Sequence, residues 1–282
     1  MKNQSGQALV LVLLSLAVVL TLVLFVLSRS VTDVAISVRQ EESIRAFSAA
    51  EAGIERVLVA GSAGSAQFSD AGSGYTATVS SYAEGTRSFV YPIGIFSGES
   101  ATVWFVSHDG SPGFTGNNLK VCWGKTGTAS GTATTPAVEL IIYYESTPGD
   151  VTTTKVARAA FDPNTGRSNS FSDPDSGSCT IDETKYAFGK AITFSGLGIP
   201  IGSYNVPNGL QFARIKLLYN TDISHEIGVD VTGSSILPSQ GQDVVSTGVA
   251  GGSNRRVQVF QGWPEIPSIF EYSIYSSGGL TK

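Results

Sequence analysis

ALVLVLLSLAVVLTLVLFVL, residues 8–27, decides the organisation of this 282-residue chain. The run contains no charged residue. At a rise of about 1.5 Å per residue, a helix of this length spans about 30 Å, which is the thickness of the hydrocarbon core of a bilayer. Ser15 and Thr21 do not interrupt the helix, because their hydroxyls can bond back to its backbone. The sequence therefore predicts one membrane-spanning helix near the N-terminus.

The helix is predicted to continue beyond the membrane as an amphipathic half. No proline lies between Ala8 and Ala60, so a single helix can reach about 78 Å. Gly61-Ser-Ala-Gly64 then supplies the stop signal. Apolar residues in the second half recur mostly at intervals of three, four or seven, the spacing of one helical face, and they must be buried elsewhere. These residues are Val31, Val34, Val38, Ile44, Phe47, Ile54 and Leu58.

Beyond residue 60 the sequence is typical of an exported β-rich region. Charged residues make up only 15% of the chain, which also contains 32 glycines, and short alternating apolar runs lie between turn residues. Together with the helix, these runs predict an α+β fold in which a long N-terminal helix carries a mainly antiparallel β-sandwich-like region, as one unit or as two subdomains. The predicted strands are Tyr75–Ser81, Ser88–Phe96, Ala101–Ser107, Leu119–Trp123, Ala137–Tyr144, Val151–Phe161, Tyr186–Phe194, Leu210–Tyr219, Ile227–Val231, Arg256–Phe260 and Ile269–Tyr275.

Cys122 and Cys179 are the only cysteines in the chain. In an exported protein, an isolated pair favours a disulfide over two separate buried thiols. It also argues against a metal site, since zinc needs about four ligands. The predicted bridge closes a long loop and stabilises the fold by about 4 kcal/mol on loop-entropy grounds.

Asp173, Asp175 and Asp182 form the best candidate for a metal site in the sequence. Ca²⁺ prefers about six to eight oxygen ligands. The spacing of an EF-hand loop is not met, because Gly177 falls one position too early and Thr184 stands where the final Glu belongs. A solvated turn is therefore the favoured interpretation and Ca²⁺ the alternative, and no cofactor is predicted.

Composition and motifs also limit the function. The net charge of −5 argues against nucleic acid as a partner, since phosphate binding requires a concentrated basic face. His108 and His225 are the only histidines, and no GxSxG motif surrounds a serine. The sequence therefore predicts a structural protein and not an enzyme, with an exported hydrolase as the weakest alternative.

The first sixty residues resemble type IV pilin-like proteins. A short leader with one basic side chain, Met1-Lys-Asn-Gln-Ser-Gly6, precedes the uncharged run. The amphipathic half then contains Ala46-Phe47-Ser-Ala-Ala-Glu51-Ala-Gly-Ile-Glu55. Because the leader, the span and the AAEA segment occur together in this order, the likeness is greatest to PilX-like minor pilins and minor pseudopilins.

This resemblance implies cleavage by a prepilin peptidase between Gly6 and Gln7. It divides the chain into a leader (1–6), an N-terminal helix (7–60) and an exported globular region (61–282). The protein would first be a single-pass protein of the inner membrane, with the β-rich region outside the cytoplasm. It would then enter an extracellular filament of other pilin-like subunits. A helix that is apolar on all sides is stable in lipid and among similar helices, so this transfer costs little.

Leu11 separates this sequence from the main building blocks of pili. Major pilins usually carry Glu as the fifth mature residue, which corresponds to Leu11 here, so the resemblance implies a minor subunit that is exposed on the filament or located at its tip. A sheet is expected to cover the apolar stripe of the helix. The residues predicted to take part in helix packing are Leu11, Val34, Val38, Phe47, Glu51 and Ile54.

A second interpretation keeps the same helix as an uncleaved signal anchor. The protein is then a permanently anchored surface protein with a ligand-binding or adhesive β domain. The first residue of the mature chain distinguishes the two interpretations: Gln7 for a processed pilin, Met1 for an anchor.

Overall fold

The computed structural model describes residues 5–69, 72–110, 112–231, 233 and 235–265, with side chains from Leu9 onward. The described residues form an α+β fold with two α-helices, α1 (Ser5–Ala60) and α2 (Ile201–Tyr204). The strands are β1 (Gly64–Phe68), β2 (Ser73–Tyr82), β3 (Ser88–Val90), β4 (Ser100–Trp104), β5 (Asn118–Lys125), β6 (Ala137–Glu145), β7 (Thr154–Phe161), β8 (Cys179–Ile181), β9 (Thr184–Thr193), β10 (Leu210–Leu218), β11 (Ile227–Asp230), β12 (Gly241–Ala250) and β13 (Ser253–Gly262).

α1 is one unbroken helix of 56 residues. Its first part consists almost entirely of Leu, Val and Ala, and no proline removes a backbone donor from its interior. The helix ends where the sequence predicts, after Ala60. Gly61 adopts a left-handed φ of +66°, and its N–H donates to the carbonyl of Val57 at 2.7 Å, which closes the last turn.

The chain divides into two compact units. Of the described residues, the first contains those up to 79 together with 244–259, and the second contains those from 80 to 243 together with 260–265. In the first unit, α1 packs on a four-stranded sheet of order β1-β2-β12-β13. Their shared core consists of Ile54 and Val57 from the helix and Tyr75, Ala77 and Val244 from the sheet.

The second unit contains the predicted β-sandwich-like region. One sheet has the order β4-β10-β6-β7 and the other the order β3-β11-β5-β9-β8. Neighbouring strands are antiparallel in both sheets. Alternate residues of β5 and β6, such as Val121 and Leu140, are fully buried in one hydrophobic core that both sheets share.

The predicted disulfide between Cys122 and Cys179 is confirmed. Cys122 lies on β5 and Cys179 on the edge strand β8, and β9 lies between these two strands. Gly189 of β9 is opposite Cys122 in the register, and a Cβ at this position would lie 2.6 Å from the sulfur of Cys179. Glycine is therefore needed at this point so that the bridge can cross the strand.

Arg167 holds the connection between β7 and β8. Its Nη1 lies 3.0 Å from Oδ1 of Asp162, whose side chain is only 3% exposed. The guanidinium also stacks on the ring of Tyr219, with 3.9 Å between Cζ and the ring centroid. Both terminal nitrogens donate hydrogen bonds to the backbone of the loop that follows β5. The acceptors are the carbonyls of Thr132, Ala133 and Thr135, at 2.7–3.1 Å.

The strand predictions differ from the structure at several points. Three strands, β1, β8 and β12, are not predicted. β8 has only three residues. In β12, glycine, serine and threonine stand where an apolar alternation is expected; its sequence is GQDVVSTGVA. Val151–Thr153 forms a 3₁₀ turn instead of the start of β7, because Asp150 accepts a hydrogen bond from the backbone N–H of Thr152 at 3.0 Å. The predicted strand Ile269–Tyr275 lies outside the described residues.

Candidate functional site: the N-terminal helix and its packing surface

The apolar side chains of α1 from Leu9 to Leu27 are not packed against any other described part of the chain. Every large apolar side chain from Leu9 to Leu27 is exposed, from 49% for Val23 to 66% for Phe25. Within the described residues, α1 is the one helix that is long and apolar enough to cross a membrane. It is therefore a candidate membrane anchor or signal.

Both hydroxyl side chains of this segment donate hydrogen bonds to the backbone of the helix. Ser15 donates to the carbonyl of Val12 at 2.9 Å, and Thr21 donates to the carbonyl of Val18 at 2.8 Å. As predicted, neither residue interrupts the helix. Since the helical backbone satisfies its own polar groups, the segment presents an uninterrupted apolar surface.

The packing of α1 on its sheet depends on small residues. Ala46, Ala49, Ala50 and Gly53 lie at intervals of three and four and are all buried. On β12, the matching position is Gly248, where a Cβ would overlap the carbonyl of Ala46 and the backbone nitrogen of Ala50. The helix and the strand therefore approach each other backbone to backbone, which larger side chains would prevent.

Two polar contacts fix the tip of the β12–β13 hairpin to the same helix. Glu42 accepts a hydrogen bond from the backbone N–H of Gly252 at 3.2 Å, and the hydroxyl of Ser43 accepts from Arg255 Nε at 2.9 Å. One turn along the exposed side, Arg45 forms an ion pair with Glu41. The polar contacts hold the β12–β13 hairpin against α1, and the small residues allow the short distance between the backbones of α1 and β12.

This geometry corrects the predicted packing face. The stripe from Val34 to Leu58 is not covered by the sheet: Val34 is 60%, Val38 47% and Phe47 46% exposed. Only Ile54 of the predicted stripe is buried, at 7%. The sheet packs on the face of Ala46, Ala50 and Gly53, where the small side chains allow Gly248 of β12 to approach the helix backbone.

We expect Gly248→Ala to destabilise the first unit by about 1–3 kcal/mol, since the added methyl group meets backbone atoms that cannot rotate away. Thermal unfolding of the full chain in detergent, monitored by circular dichroism, measures the change. Gly64→Ala is the matched control, because no atom lies within 4 Å of a Cβ at that strand position. Equal melting temperatures for the two variants would contradict the close-packing interpretation.

The other predicted helix residues keep their places on the exposed surface. Leu11 is 65% exposed and Glu51 is also exposed, so contacts of these residues with neighbouring subunits stay a prediction. Gly6 and Gln7 lie within the first turns of α1. Cleavage between them likewise stays a prediction.

The structure does not bring the predicted metal candidates together. Asp175 accepts a hydrogen bond from the N–H of Ala191 at 2.7 Å and forms an ion pair with Lys190 at 3.0 Å. Asp182 accepts from the hydroxyl of Ser88 at 2.8 Å, and Asp173 is contacted through its carbonyl. Within the described part of the chain, no group of three or more His, Cys, Asp or Glu residues is placed to hold a metal ion.

A second region of interest is a groove of about 440 Å³ at the ends of β5 and β11. Ile227 of β11 is opposite Trp123 of β5 in the register. His225 lies two residues before Ile227, and Lys125 is the last residue of β5. The Nδ1 of His225 accepts the backbone N–H of Lys125 at 3.0 Å. His225 is only 1% exposed and lines the groove together with Asp222 and a series of threonines.

Burial lowers the pKa of His225 below its ordinary value of 6.5; Asp222 opposes this shift and Lys125 adds to it. Below about pH 6.5 the unfolded chain therefore binds a proton that the folded chain does not. We expect the free energy of unfolding to decrease as the pH falls from 6.5 towards the lower pKa of the folded state.

Urea unfolding between pH 7.5 and 5 measures this pH dependence. His225→Asn should flatten the curve. Burial also lowers the pKa of His108, so His108→Asn should remove a separate part of the slope. A pH profile that is the same in wild type and His225→Asn would contradict the assignment.

Gly53, Ser246 and Gly248, which form the helix–sheet contact, are not among the residues predicted from the sequence. The run of small residues between Ala46 and Gly53 is a signal that could have indicated the face. Its partner strand β12 offers no such signal.

Comparison with protein-family models, with curated protein sequences and with solved structures yields no match for this chain. The function is therefore inferred from the helix, its packing surface and the resemblance of its N-terminal sequence.

Proposed function

We propose that this chain is a minor structural subunit of a type IV pilus or a related filament. The observation that carries the proposal is the exposed apolar half of α1, continued without a break into the half that packs on the first sheet. Apolar side chains exposed on all sides require lipid or other apolar helices around them. The leader and the AAEA segment favour the filament among these settings.

Each part of the chain has a role in this proposal. The leader is removed by a prepilin peptidase after Gly6, and the span from Ala8 to Leu27 first lies in the inner membrane. The span then enters the core of an extracellular filament, among the helices of other pilin-like subunits. The β-rich region remains outside the cytoplasm and is exposed on the filament or located at its tip.

Leu11 and the uncovered stripe support a minor position. Leu11 supplies no carboxylate to pair with the N-terminal amine of a neighbouring subunit, which favours a subunit used once or rarely. Val34, Val38 and Phe47 are exposed in the isolated chain and form the surface offered to neighbouring helices.

Mass spectrometry of the mature N-terminus tests the proposal. The chain is expressed with an active prepilin peptidase and a major pilin that reports peptidase activity. The expected first residue is Gln7, with an N-methyl group. A peptidase with an inactivated active site is the control and should leave Met1 in place. An intact Met1 beside a fully processed major pilin would overturn the proposal and favour the signal-anchored surface protein.

Assembly is tested separately by shearing filaments from cells and detecting the chain in the sheared fraction. Val38→Glu places a charge on the exposed stripe, where Val38 is 47% exposed, and it should remove the chain from the filaments. Val38→Ala is the matched control and should retain it. Retention of the Glu variant would show that this stripe does not contact neighbouring subunits.

A further inference from the structure

We propose that the groove at the ends of β5 and β11 binds a neutral, polyhydroxylated ligand, namely a sugar unit of a glycan. The groove lies entirely within the second unit. The proposal is independent of whether the chain assembles into a filament.

His225 supplies the first argument. Its Nδ1 accepts the backbone N–H of Lys125, so the proton of the neutral ring lies on Nε2. Among the described residues no hydrogen bond of Nε2 is seen, and His225, which is 1% exposed as a residue, is one of the residues that line the groove. An N–H donor of a groove-lining residue that makes no hydrogen bond within the chain can bind an oxygen of a ligand.

The charges of the lining supply the second argument. Lys125 contributes one positive charge and Asp222 one negative charge, so neither an anion nor a cation is favoured overall. A hydroxyl group suits both residues, because it can accept a hydrogen bond from Lys125 or His225 and donate one to Asp222. Asp222 is held for this role by the N–H of Ile223 at 2.9 Å and by the hydroxyl of Thr134.

Two threonines of the groove offer a ligand hydrogen-bond acceptors, because their hydroxyl protons are already donated to backbone carbonyls. The hydroxyl of Thr126 donates to the carbonyl of Lys185 at 2.9 Å, and that of Thr128 donates to the carbonyl of Lys125 at 2.7 Å. Since their protons are engaged, the lone pairs of both oxygens remain for hydroxyl donors of a ligand. The groove thus offers several acceptors beside its two donors, which is the pattern that adjacent sugar hydroxyls match.

The groove is also held in shape before any ligand binds. Arg167 donates to carbonyls of residues 132, 133 and 135, and the hydroxyl of Thr135 donates to the carbonyl of Ala129 at 2.8 Å. A loop fixed in this way loses little conformational entropy on binding. The volume of about 440 Å³ lies within the range of small-molecule sites in proteins.

Titration of the full chain with monosaccharides tests the proposal. The protein is labelled with ¹⁵N-histidine and kept in a detergent without a sugar head group. Glucose, galactose, mannose and N-acetylglucosamine are added separately, with inorganic phosphate and glycine as charged probes. At least one sugar is expected to shift the Nε2 signal of His225 in a saturable way and to leave His108 unchanged, and His108→Asn assigns the two signals.

Two variants test which groups bind. His225→Asn keeps an acceptor for the N–H of Lys125 but lacks the Nε2 donor, and Asp222→Asn removes the carboxylate from an exposed position. Each should weaken binding of the responding sugar by about tenfold, the effect of one lost hydrogen bond to a polar ligand. Glu183→Gln, an exposed change outside the groove, should leave the affinity unchanged.

The proposal is overturned if no sugar gives a saturable shift. It is equally overturned if phosphate or glycine binds in place of the sugars, or if both groove variants bind with wild-type affinity.

Discussion

Arg167→Met is expected to lower the free energy of unfolding by about 3–5 kcal/mol, because it breaks a buried ion pair by removing one partner. Asp162, at 3% exposure, would lose its cationic partner, and the loop after β5 would lose hydrogen bonds to three carbonyls. Two donors to Asp162 remain, the N–H of Asn164 at 2.8 Å and the amide of Asn169 at 2.6 Å, and they offset only part of the loss.

Urea unfolding of the full chain at pH 7.5 measures this effect. The matched control is Arg158→Met, which breaks a more exposed ion pair with Glu139 at 3.4 Å and should cost less than about 1 kcal/mol. The double variant Arg167→Met/Asp162→Asn removes the unpaired charge and should recover part of the stability. A loss for Arg167→Met no greater than that for Arg158→Met would show that the buried pair is not the main restraint on this loop.

Removal of the disulfide by Cys122→Ala/Cys179→Ala is expected to destabilise the second unit by about 4 kcal/mol, since the bridge closes a loop with a sequence separation of 57 residues. Alanine avoids placing a hydroxyl at two positions that are 0% and 2% exposed. The edge strand β8 should be the first element to exchange its amide hydrogens in the variant, because it pairs with one neighbour only.

Thermal unfolding with and without dithiothreitol provides the control for this prediction. The reductant should lower the melting temperature of the wild type to that of the double variant and leave the variant itself unchanged. A reductant effect of the same size in both proteins would show that the bridge is not its target.

Residues 8–60 specify their own conformation, and the sequence therefore predicted both α1 and its end at Gly61. An uninterrupted helix needs only local information: residues with high helical propensity, no proline and a glycine stop. Most strands of the second unit, though not β8, were predicted for a similar reason, since residues such as Val138, Leu140 and Ile142 alternate in the pattern that one buried face requires.

The contact face of α1 could not be predicted in the same way. Periodicity identifies the face with the largest apolar side chains, whereas the sheet packs on the face with the smallest ones, Ala46, Ala50 and Gly53. That choice depends on Gly248, almost two hundred residues away in the sequence. Similarly, the groove of Lys125 and His225 follows from the register of β5 and β11, which no local pattern contains.

The backbone contact between α1 and β12 also limits how this protein can diverge. A larger residue at Ala46, Ala50 or Gly248 has no room unless a smaller one replaces its neighbour. Substitutions at these three positions should therefore be rare or should arise in compensating pairs. Val34, Val38 and Phe47 are exposed within the described residues, so they are less constrained and should vary more. Sequences of related chains should therefore be most uniform where α1 is least hydrophobic.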